Sequence, residues 1–485
     1  MEHSKLSDHN FKKGKFVTPW NELMKDIGKE NSWFHNRLPE YLWIGLIIEY
    51  YGREKGLEKC YLIIKRLHEI APSLLVPKFS EILKLESTTQ NSFYKFIFQT
   101  IEVRVLSPLT AVFDYAVAPE FSISFNVLES SVKARVETLN SILRKTSFHQ
   151  THLSTDIRFI VIYFTLLSGK LSMPMEILDL ILEYPKLQHS DEKMKIIRPT
   201  IRSMEISPID LEREEDSALL NIFWKRISKM SDCELMYPNF SEEEPDTTLY
   251  MKNTKKILEY YSELSISTDP LNSKMLVLLG ISTYSYKRLL ELVEHNLFNS
   301  ISGRGIIRVL IEDYIMMKYL LKNESNHKDI WTEYQYYGIG QYKLIVSRFR
   351  DTNKDVSNSH VLYDYLDILV NEYIDEEFID MDTSYFGKQN IREKAKQVGE
   401  QDLYGLYYDY DSAFEHGLWG AIRESSLIKC NSAAHQYHCV PDIENNQKLK
   451  SVWADCAKLM DKTLNVLIDT FGLPDHFAIG GENGE

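Results

Sequence analysis

Tyr408, Ser412 and His416 stand four residues apart in the stretch LYGLYYDYDSAFEHGLW, which begins at Leu403. Residues four apart share one face of an α-helix, so a helix here would present the three side chains together. Histidine serves as a general acid or base near neutral pH, and neighbouring hydroxyl groups orient its substrate. The spacing therefore points to acid–base chemistry, with a satisfied core histidine as the plainer alternative.

A second stretch, GRGIIRVLIEDYIMMKYLLKN, repeats charged residues at the same interval: Arg304, Arg308 and Glu312. Arginine before glutamate is the less favourable order for a surface ion pair, so surface stabilisation explains the repeat poorly. A half-buried Arg–Glu pair needs further hydrogen-bond partners, and this stretch is otherwise largely apolar. We therefore expect the face that carries Tyr408 to supply those partners.

The elements that position these residues are predicted to be helices. Gly and Pro number only 20 and 15 in 485 residues, and apolar residues recur at intervals of three and four. Pro39 fits the first turn of one early helix, and Gly52 to Gly56 is expected to separate it from the next. The sequence predicts an all-α fold with two helical domains, of which the C-terminal one is a helical bundle.

A change in composition predicts where the domains meet. The stretches SPIDLEREEDSALL and YPNFSEEEPDTTLY are acidic and contain proline. We predict an N-terminal helical domain over residues 1–205, an acidic linker over 206–250 and a C-terminal helical domain over 251–485. A solvated loop inside one domain is the alternative.

Charge and cysteine content limit the classes of function. A formal net charge of −14 argues against broad, sequence-independent binding of nucleic acid, although a small basic cleft is compatible with it. Five widely spaced cysteines without a CxxC pair predict free thiols in a reducing cytoplasm. The chain start has no apolar core, and the longest apolar runs are far shorter than the ~20 residues that cross a bilayer. We expect a cytoplasmic protein without a membrane span.

Common cofactor motifs do not occur in the sequence. It has no GxxxxGK[ST], GxGxxG, HExxH or GxSxG. The stretch CNSAAHQYHC brings Cys430, His435, His438 and Cys439 close together, and these residue types suit zinc. Their spacing matches none of the usual zinc patterns, so we expect a surface loop with incidental thiols, no metal and no cofactor.

Three stretches of the second half resemble the bacterial domain of unknown function 5677 family. They are RGIIRVLIEDYIMMKYLL, DIWTEYQYYGIGQYKLI and LYGLYYDYDSAFEHG, within roughly residues 270–425. The family pattern is an Arg-x3-Glu helix, a helix with spaced aromatic residues and a late Tyr-x3-Ser-x3-His helix, although Glu415 and Gly417 around the histidine depart from it. The resemblance implies an all-helical fold and a bacterial or phage-borne origin, but it implies no activity. The matching positions are Arg308, Glu312, Trp331, Tyr334, Tyr408, Ser412 and His416.

The first functional hypothesis is a metal-independent ribonuclease, an antiviral-defence or toxin-like effector of bacteria whose partner is RNA. Convergent polar groups on otherwise apolar helices favour a catalytic site. Arg and His on one helix are also typical of many helical ribonucleases, although Arg144 and His149, which have that spacing, carry little weight. In this hypothesis His416 is the general acid or base, Arg308 binds phosphate and Glu312 orients Arg308. The binding and orienting residues are Tyr408, Ser412, Arg304 and Tyr334.

The second hypothesis is a non-catalytic interaction or regulatory protein. Its N-terminal helices would bind a protein partner, and the Arg/Glu/Tyr/Ser/His set would be a buried network that fixes helix packing. This hypothesis expects His416 to be fully buried. A third hypothesis, a small-molecule sensor, expects a closed cavity lined by the tyrosines of the second half.

Overall fold

The computed structural model describes residues 5–19, 22, 32–127, 130–169, 171, 173–205, 217–238, 240, 245–352, 359–372, 376–474 and 477. The chain divides into two compact units. Unit 1 comprises Met1–Met236 and Lys429–Val440, and unit 2 comprises Tyr237–Ile428 and Pro441–Glu485.

Unit 1 is built from helices around one hydrophobic core. A short antiparallel hairpin, β1 (Asn10–Lys12) and β2 (Lys15–Val17), precedes them. Its helices within the described residues are α1 (Leu38–Tyr51), α2 (Arg53–Ile70), α3 (Phe79–Leu83), α4 (Ser87–Thr100), α5 (Pro119–Phe125), α6 (Val132–Thr146), α7 (His152–Leu167), α8 (Met175–Glu183), α9 (Met194–Glu205) and α10 (Ser217–Lys229).

Helix α1 lies in the centre of unit 1 because it is apolar on all faces, and it packs against α2 and α7. Pro39 lies in its first turn, as predicted. Gly52, with φ +78°, separates α1 from α2. The expected break does not extend to Gly56, which lies inside α2. A Cβ there would come within 2.6 Å of the Ile48 Cα, so this glycine allows the two helices to pack closely.

Unit 2 is a helical bundle around its own core. Its helices within the described residues are α11 (Thr248–Thr268), α12 (Ser273–Glu294), α13 (Ile301–Asn323), α14 (Ile330–Arg350), α15 (Tyr363–Asn371), α16 (Ile391–Val398), α17 (Asp409–Glu415), α18 (Trp419–Ser426) and α19 (Trp453–Phe471). Helix α13 is the central helix, and it packs against α12, α16, α17 and α19. The prediction of an all-α fold with helical domains is confirmed.

The other strands are short and form one sheet in the order β3 (Leu235–Met236), β4 (Leu427–Cys430) and β5 (Cys439–Pro441). Leu235 lies opposite Cys430 in an antiparallel pair. The expectation of a surface loop around Cys430 is therefore wrong. Cys430 is buried, and Ala433 and Ala434 belong to the hydrophobic core of unit 1.

The predicted linker over 206–250 is described only in part. Residues 206–216, 239 and 241–244 lie outside the described residues. Its described part contains α10, which places Leu219, Phe223 and Ile227 in the core of unit 1, and the first residues of α11. The domain limits stay a prediction. Among the helices that the structure describes, we find none with the length and apolar character that crossing a bilayer requires.

Candidate functional site

Helix α13 presents Arg308 and Glu312 on one face, as their spacing predicts. The side chain of Ser300 caps the helix by accepting a hydrogen bond from the Gly303 backbone N–H at 3.1 Å. Arg308 Nη2 lies 3.1 Å from Glu312 Oε1, and the two side chains are 24% and 37% exposed. The ion pair is thus half-buried, with one side open.

Tyr408 closes a triangle with this ion pair. Its hydroxyl donates to Glu312 Oε1 at 2.6 Å and accepts from Arg308 Nη2 at 3.2 Å. The Arg308 guanidinium lies 5.3 Å from the centre of the Tyr408 ring, which stacks on Tyr404 at 4.8 Å. Tyr408 ends a wide π-helical segment, Leu403–Tyr408, directly before α17. Such segments re-aim side chains and are frequent at functional sites.

Ser412 and His416 follow Tyr408 along α17 and line the same cavity as Arg308. His416 is the residue after the last turn of α17. Its backbone N–H donates to the Ser412 carbonyl at 3.1 Å, and its side chain is exposed. Within the part of the chain that the structure describes, the His416 ring and the Ser412 hydroxyl form no hydrogen bonds with protein groups. The full burial of His416 that the interaction hypothesis expects is therefore not observed.

The two residues that depart from the family pattern shape the end of α17. Gly417 has φ +56°, a left-handed conformation that ends the helix directly after His416. The Glu415 carboxylate lies against the backbone of α13, where a Cβ on Gly305 would be 2.0 Å from it. Gly305 therefore allows α17 to approach α13 closely.

These side chains line an open cavity of about 800 Å³ within unit 2. Helix α14 contributes Tyr334, whose ring meets Phe386 edge-on at 5.2 Å. Helix α16 contributes Arg392 and Lys394, so cationic groups approach the cavity from two helices. The lining consists of Arg308, Glu312, Asp313, Met316, Tyr334, Tyr337, Tyr385, Phe386, Asn390, Ile391, Arg392, Lys394, Tyr404, Tyr408, Asp409, Ser412 and His416.

Two residues of this lining have pKa values shifted toward neutrality. Burial raises the pKa of Asp313 to about 7, although a hydrogen bond from the Ser285 hydroxyl at 2.8 Å opposes the shift. Burial lowers the pKa of Lys394 to about 8, while its ammonium donates to the Phe386 carbonyl at 2.7 Å. Shifted groups of this kind often mark functional sites. Burial and the Glu312 carboxylate raise the pKa of Tyr408 to about 12, so the phenol stays protonated.

Arg308 keeps its charge in this setting. Burial opposes a charged guanidinium, but the hydrogen bond to the Tyr408 hydroxyl and the Glu312 carboxylate outweigh it and raise the pKa of Arg308. The cavity thus keeps a permanent cation beside the His416 ring and the Ser412 hydroxyl, neither of which is hydrogen-bonded within the described part of the chain.

Two of the candidate arginines do not share the cavity. Arg304 is 4% exposed and donates through Nη2 to the Lys450 carbonyl at 2.6 Å, with its guanidinium 5.9 Å from the Phe414 ring centre. The geometry gives Arg304 a packing role and does not support its predicted binding role. Arg144 belongs to unit 1 and pairs with Glu234 at the surface.

Sequence reasoning missed the cavity residues contributed by α16 and one on α13. Asn390 caps α16 in a reciprocal capping box with Glu393, a pattern readable in the stretch QNIREKAK. That pattern marks the start of a helix, but it does not indicate which way the side chains of Arg392 and Lys394 point. Asp313, next to Glu312, carried no spacing signal.

Comparison with known proteins supports the predicted resemblance. Residues 275–435 match the model of a family described as a family of unknown function (DUF5677), which confirms the resemblance in the second half of the chain. The matched segment is about a third of the chain and includes α13, α14 and α17. Searches of curated proteins and of solved structures returned no match.

Proposed function

We propose that unit 2 is a metal-independent ribonuclease that acts as an antiviral-defence or toxin-like effector in the bacterial cytoplasm. The observation that carries the proposal is the His416 side chain, which lines one cavity with Arg308 and Ser412 and forms no hydrogen bond to the residues that the structure describes. A histidine buried for packing would be enclosed and hydrogen-bonded, whereas this one is exposed at the cavity.

The reaction that these groups support is transesterification of RNA. A general base removes the proton of a ribose 2′-hydroxyl, and the oxygen attacks the adjacent phosphorus. The bond from phosphorus to the 5′-oxygen breaks, and that oxygen takes up a proton. The products are a 2′,3′-cyclic phosphate and a 5′-hydroxyl, so no metal, water or redox partner is consumed. His416 acts as the general acid or base in the proton transfer. Arg308 stabilises the charge that develops on the phosphate, and the Ser412 hydroxyl donates to a phosphate oxygen.

The cavity has the size and lining that a short RNA segment needs. Its volume of about 800 Å³ lies within the range of roughly 300–1,000 Å³ that is common for ligand pockets. Tyr334, Tyr337 and Tyr385 offer rings on which bases stack, and Arg308 and Arg392 offer charge for the backbone. The two arginines place local positive charge in a chain whose formal net charge is −14, although the carboxyl groups of Glu312, Asp313 and Asp409 line the same cavity.

The test compares wild type with His416→Ala and Arg308→Ala, using purified protein and end-labelled RNA. Loss of the acid–base group reduces the rate of such reactions by about 10²–10⁴-fold. Products are examined for 2′,3′-cyclic phosphate ends. A second experiment expresses each protein in a bacterial host and examines growth and total RNA. It tests the case in which the effector needs a cellular trigger that the purified assay lacks.

His295→Ala is the matched control. His295 is also an exposed histidine that directly follows a helix of unit 2, namely α12, and it does not line the cavity. We expect this variant to cleave RNA and halt growth like the wild type. Equal activity of His416→Ala and wild type would remove the basis of the proposal.

The triangle of Arg308, Glu312 and Tyr408 favours a second candidate, an interaction or regulatory protein in which this set fixes helix packing. All three groups bind one another, as a structural network requires. In that case the wild type leaves RNA intact and growth unaffected, Arg308→Ala lowers the stability of unit 2, and a protein partner is sought on the N-terminal helices.

A further inference from the structure

Four side chains of types that bind metals converge in unit 1, and none of them lines the cavity of unit 2. They are Cys233, which follows α10, and Cys430, His435 and His438, which lie in the segment Lys429–Val440. One donor atom from each lies within 4.8 Å of the other three. Cys233 is separated from the rest by about 200 residues of sequence, so the set forms only in the folded unit.

Three of the distances between the donor atoms are close to those of a tetrahedral zinc site, and all four atoms lie within 4.8 Å of one another. Zinc bonds of about 2.3 Å to sulfur and about 2.0–2.1 Å to nitrogen place neighbouring ligand atoms about 3.4–3.8 Å apart. Cys233 Sγ lies 3.3 Å from His435 Nδ1 and 3.3 Å from His438 Nε2. Cys430 Sγ lies 3.6 Å from His435 Nδ1. The set thus leaves room for one small ion at its centre.

The surroundings of His435 orient its free lone pair toward the other three residues. His435 Nε2 lies 2.9 Å from the Ser228 carbonyl and 3.0 Å from the Ser231 carbonyl. A carbonyl only accepts, so Nε2 carries the proton and Nδ1 is the acceptor that faces the cluster. Histidines that bind metals are typically held in this way by a carbonyl on the other ring nitrogen.

The sulfur of Cys430 is held in place in a similar way. Its sulfur accepts hydrogen bonds from the backbone N–H groups of Glu234 and Ser432, each at 3.4 Å. Both contacts fix the position of the sulfur, as outer-shell hydrogen bonds do for the ligands of metal sites. Cys430 is buried, and all five cysteines of the chain are unbridged.

We propose that Cys233, Cys430, His435 and His438 bind one zinc ion that holds the segment Lys429–Val440 to the end of α10 within unit 1. Two thiolates and two imidazoles at tetrahedral spacing select zinc over the hard cations, which prefer oxygen. Four protein ligands leave no open position for substrate, so the ion is structural. The site is independent of the proposed RNA chemistry in unit 2.

The test measures metal in untagged full-length protein that is reconstituted with zinc, then desalted under reducing conditions. Elemental mass spectrometry is expected to give about one zinc per chain, falling at least about tenfold in Cys233→Ser and Cys430→Ser. Cys439→Ser is the matched control, because Cys439 is next to His438 in sequence but is not one of the four ligands. Cobalt(II) in place of zinc is expected to show the absorption of a tetrahedral thiolate site.

Three results would overturn the proposal. The first is wild-type protein of normal helical circular dichroism that retains less than about a tenth of an equivalent of zinc. The second is equal zinc loss in the Cys439→Ser control. The third is a Cys233–Cys430 disulfide in protein isolated without reductant. Cys233 is exposed, so Cys233→Ser is the variant least prone to misfold, and its circular dichroism shows whether metal loss precedes unfolding.

Discussion

Arginine and glutamate meet in both units, but their surroundings differ. In unit 1, Arg37 and Arg158 share the Glu205 carboxylate at 2.6 and 3.1 Å, and the Glu205 side chain is 0% exposed. In unit 2, Arg308 holds Glu312 at 3.1 Å, and the Glu312 side chain is 37% exposed beside a cavity. The first network is sealed, whereas the second has an open side.

The sealed network is completed by packing. The guanidinium of Arg158 lies 4.1 Å from the ring centre of Trp33, whose indole N–H donates to the Thr146 carbonyl at 3.0 Å. Burial lowers the pKa of Arg158 to about 10, although the Glu205 carboxylate opposes the shift. No substrate could reach these groups. The comparison separates an enclosed Arg–carboxylate pair from one beside an open cavity, and only the second kind is accessible to a ligand.

Glu205→Gln is expected to have the largest effect on stability. The substitution leaves two buried guanidinium groups without a counter-charge, which costs about 3–5 kcal/mol in the free energy of unfolding. Urea unfolding measures the loss, and hydrogen exchange of α1 and α7 peptides locates it in unit 1. Glu69→Gln is the control, because its surface pair with Arg66 is 50% and 37% exposed and contributes at most about 1 kcal/mol. Equal losses of stability in the two variants would contradict the description of the Glu205 network as sealed.

Asp313→Asn is expected to change how stability depends on pH. Burial raises the pKa of Asp313 from 3.8 to about 7, so the folded protein keeps a proton that the unfolded chain releases. Stability therefore falls as pH rises from about 4 to about 7, and the variant removes about 1–3 kcal/mol of that fall. Urea midpoints across this range measure it.

Asp382→Asn serves as the control for this pH effect. A hydrogen bond from Ser384 holds the pKa of Asp382 below its ordinary value, so this carboxyl titrates below the same range. If the stability of Asp313→Asn depends on pH as that of the wild type does, Asp313 is charged in the folded protein at neutral pH.

Tyr408→Phe is expected to have an intermediate effect. The lost hydroxyl joins Arg308 and Glu312, but their direct contact at 3.1 Å remains, so the cost is about 1–2 kcal/mol. Urea unfolding measures it, with Tyr365→Phe as a control at an exposed tyrosine of unit 2. A cost as large as that of Glu205→Gln would mean that the two networks do not differ in kind.

His416→Ala is expected to have the smallest effect on stability, within about 0.5 kcal/mol of wild type, because the side chain is exposed. His295→Ala is expected to behave alike in the same urea experiment. A loss of more than about 1 kcal/mol in His416→Ala alone would indicate hidden hydrogen bonds to the ring and favour the packing interpretation.

The contact that the spacing of four predicted joins two residues of one helix, because the helical period is fixed by backbone hydrogen bonds. Arg308 and Glu312 meet for this reason. The same geometry explains why Arg304 does not line the cavity with Arg308 and Glu312. Each step of four residues advances about 40° beyond a full turn, so Arg304 and Glu312 point about 80° apart. Arg304 accordingly turns to the Lys450 carbonyl.

Proximity between distant segments was not predictable in this way. Lys394 reaches the cavity only because α16 packs on α13, and Cys233 meets Cys430 only in the folded core of unit 1. The expectation of no metal relied on spacing inside one short segment. Local spacing carries no information about a ligand that packing brings from elsewhere.

The return of the chain to unit 1 at Lys429–Val440 has a consequence for synthesis on the ribosome. About 190 residues separate the two parts of this unit. At a rate of about 5–20 residues per second, their translation takes roughly 10–40 s. During that interval the nascent first part lacks the strand that pairs with β3 and most of the proposed zinc ligands. A message truncated before codon 429 would therefore yield a first unit that is permanently incomplete and exposed to proteases.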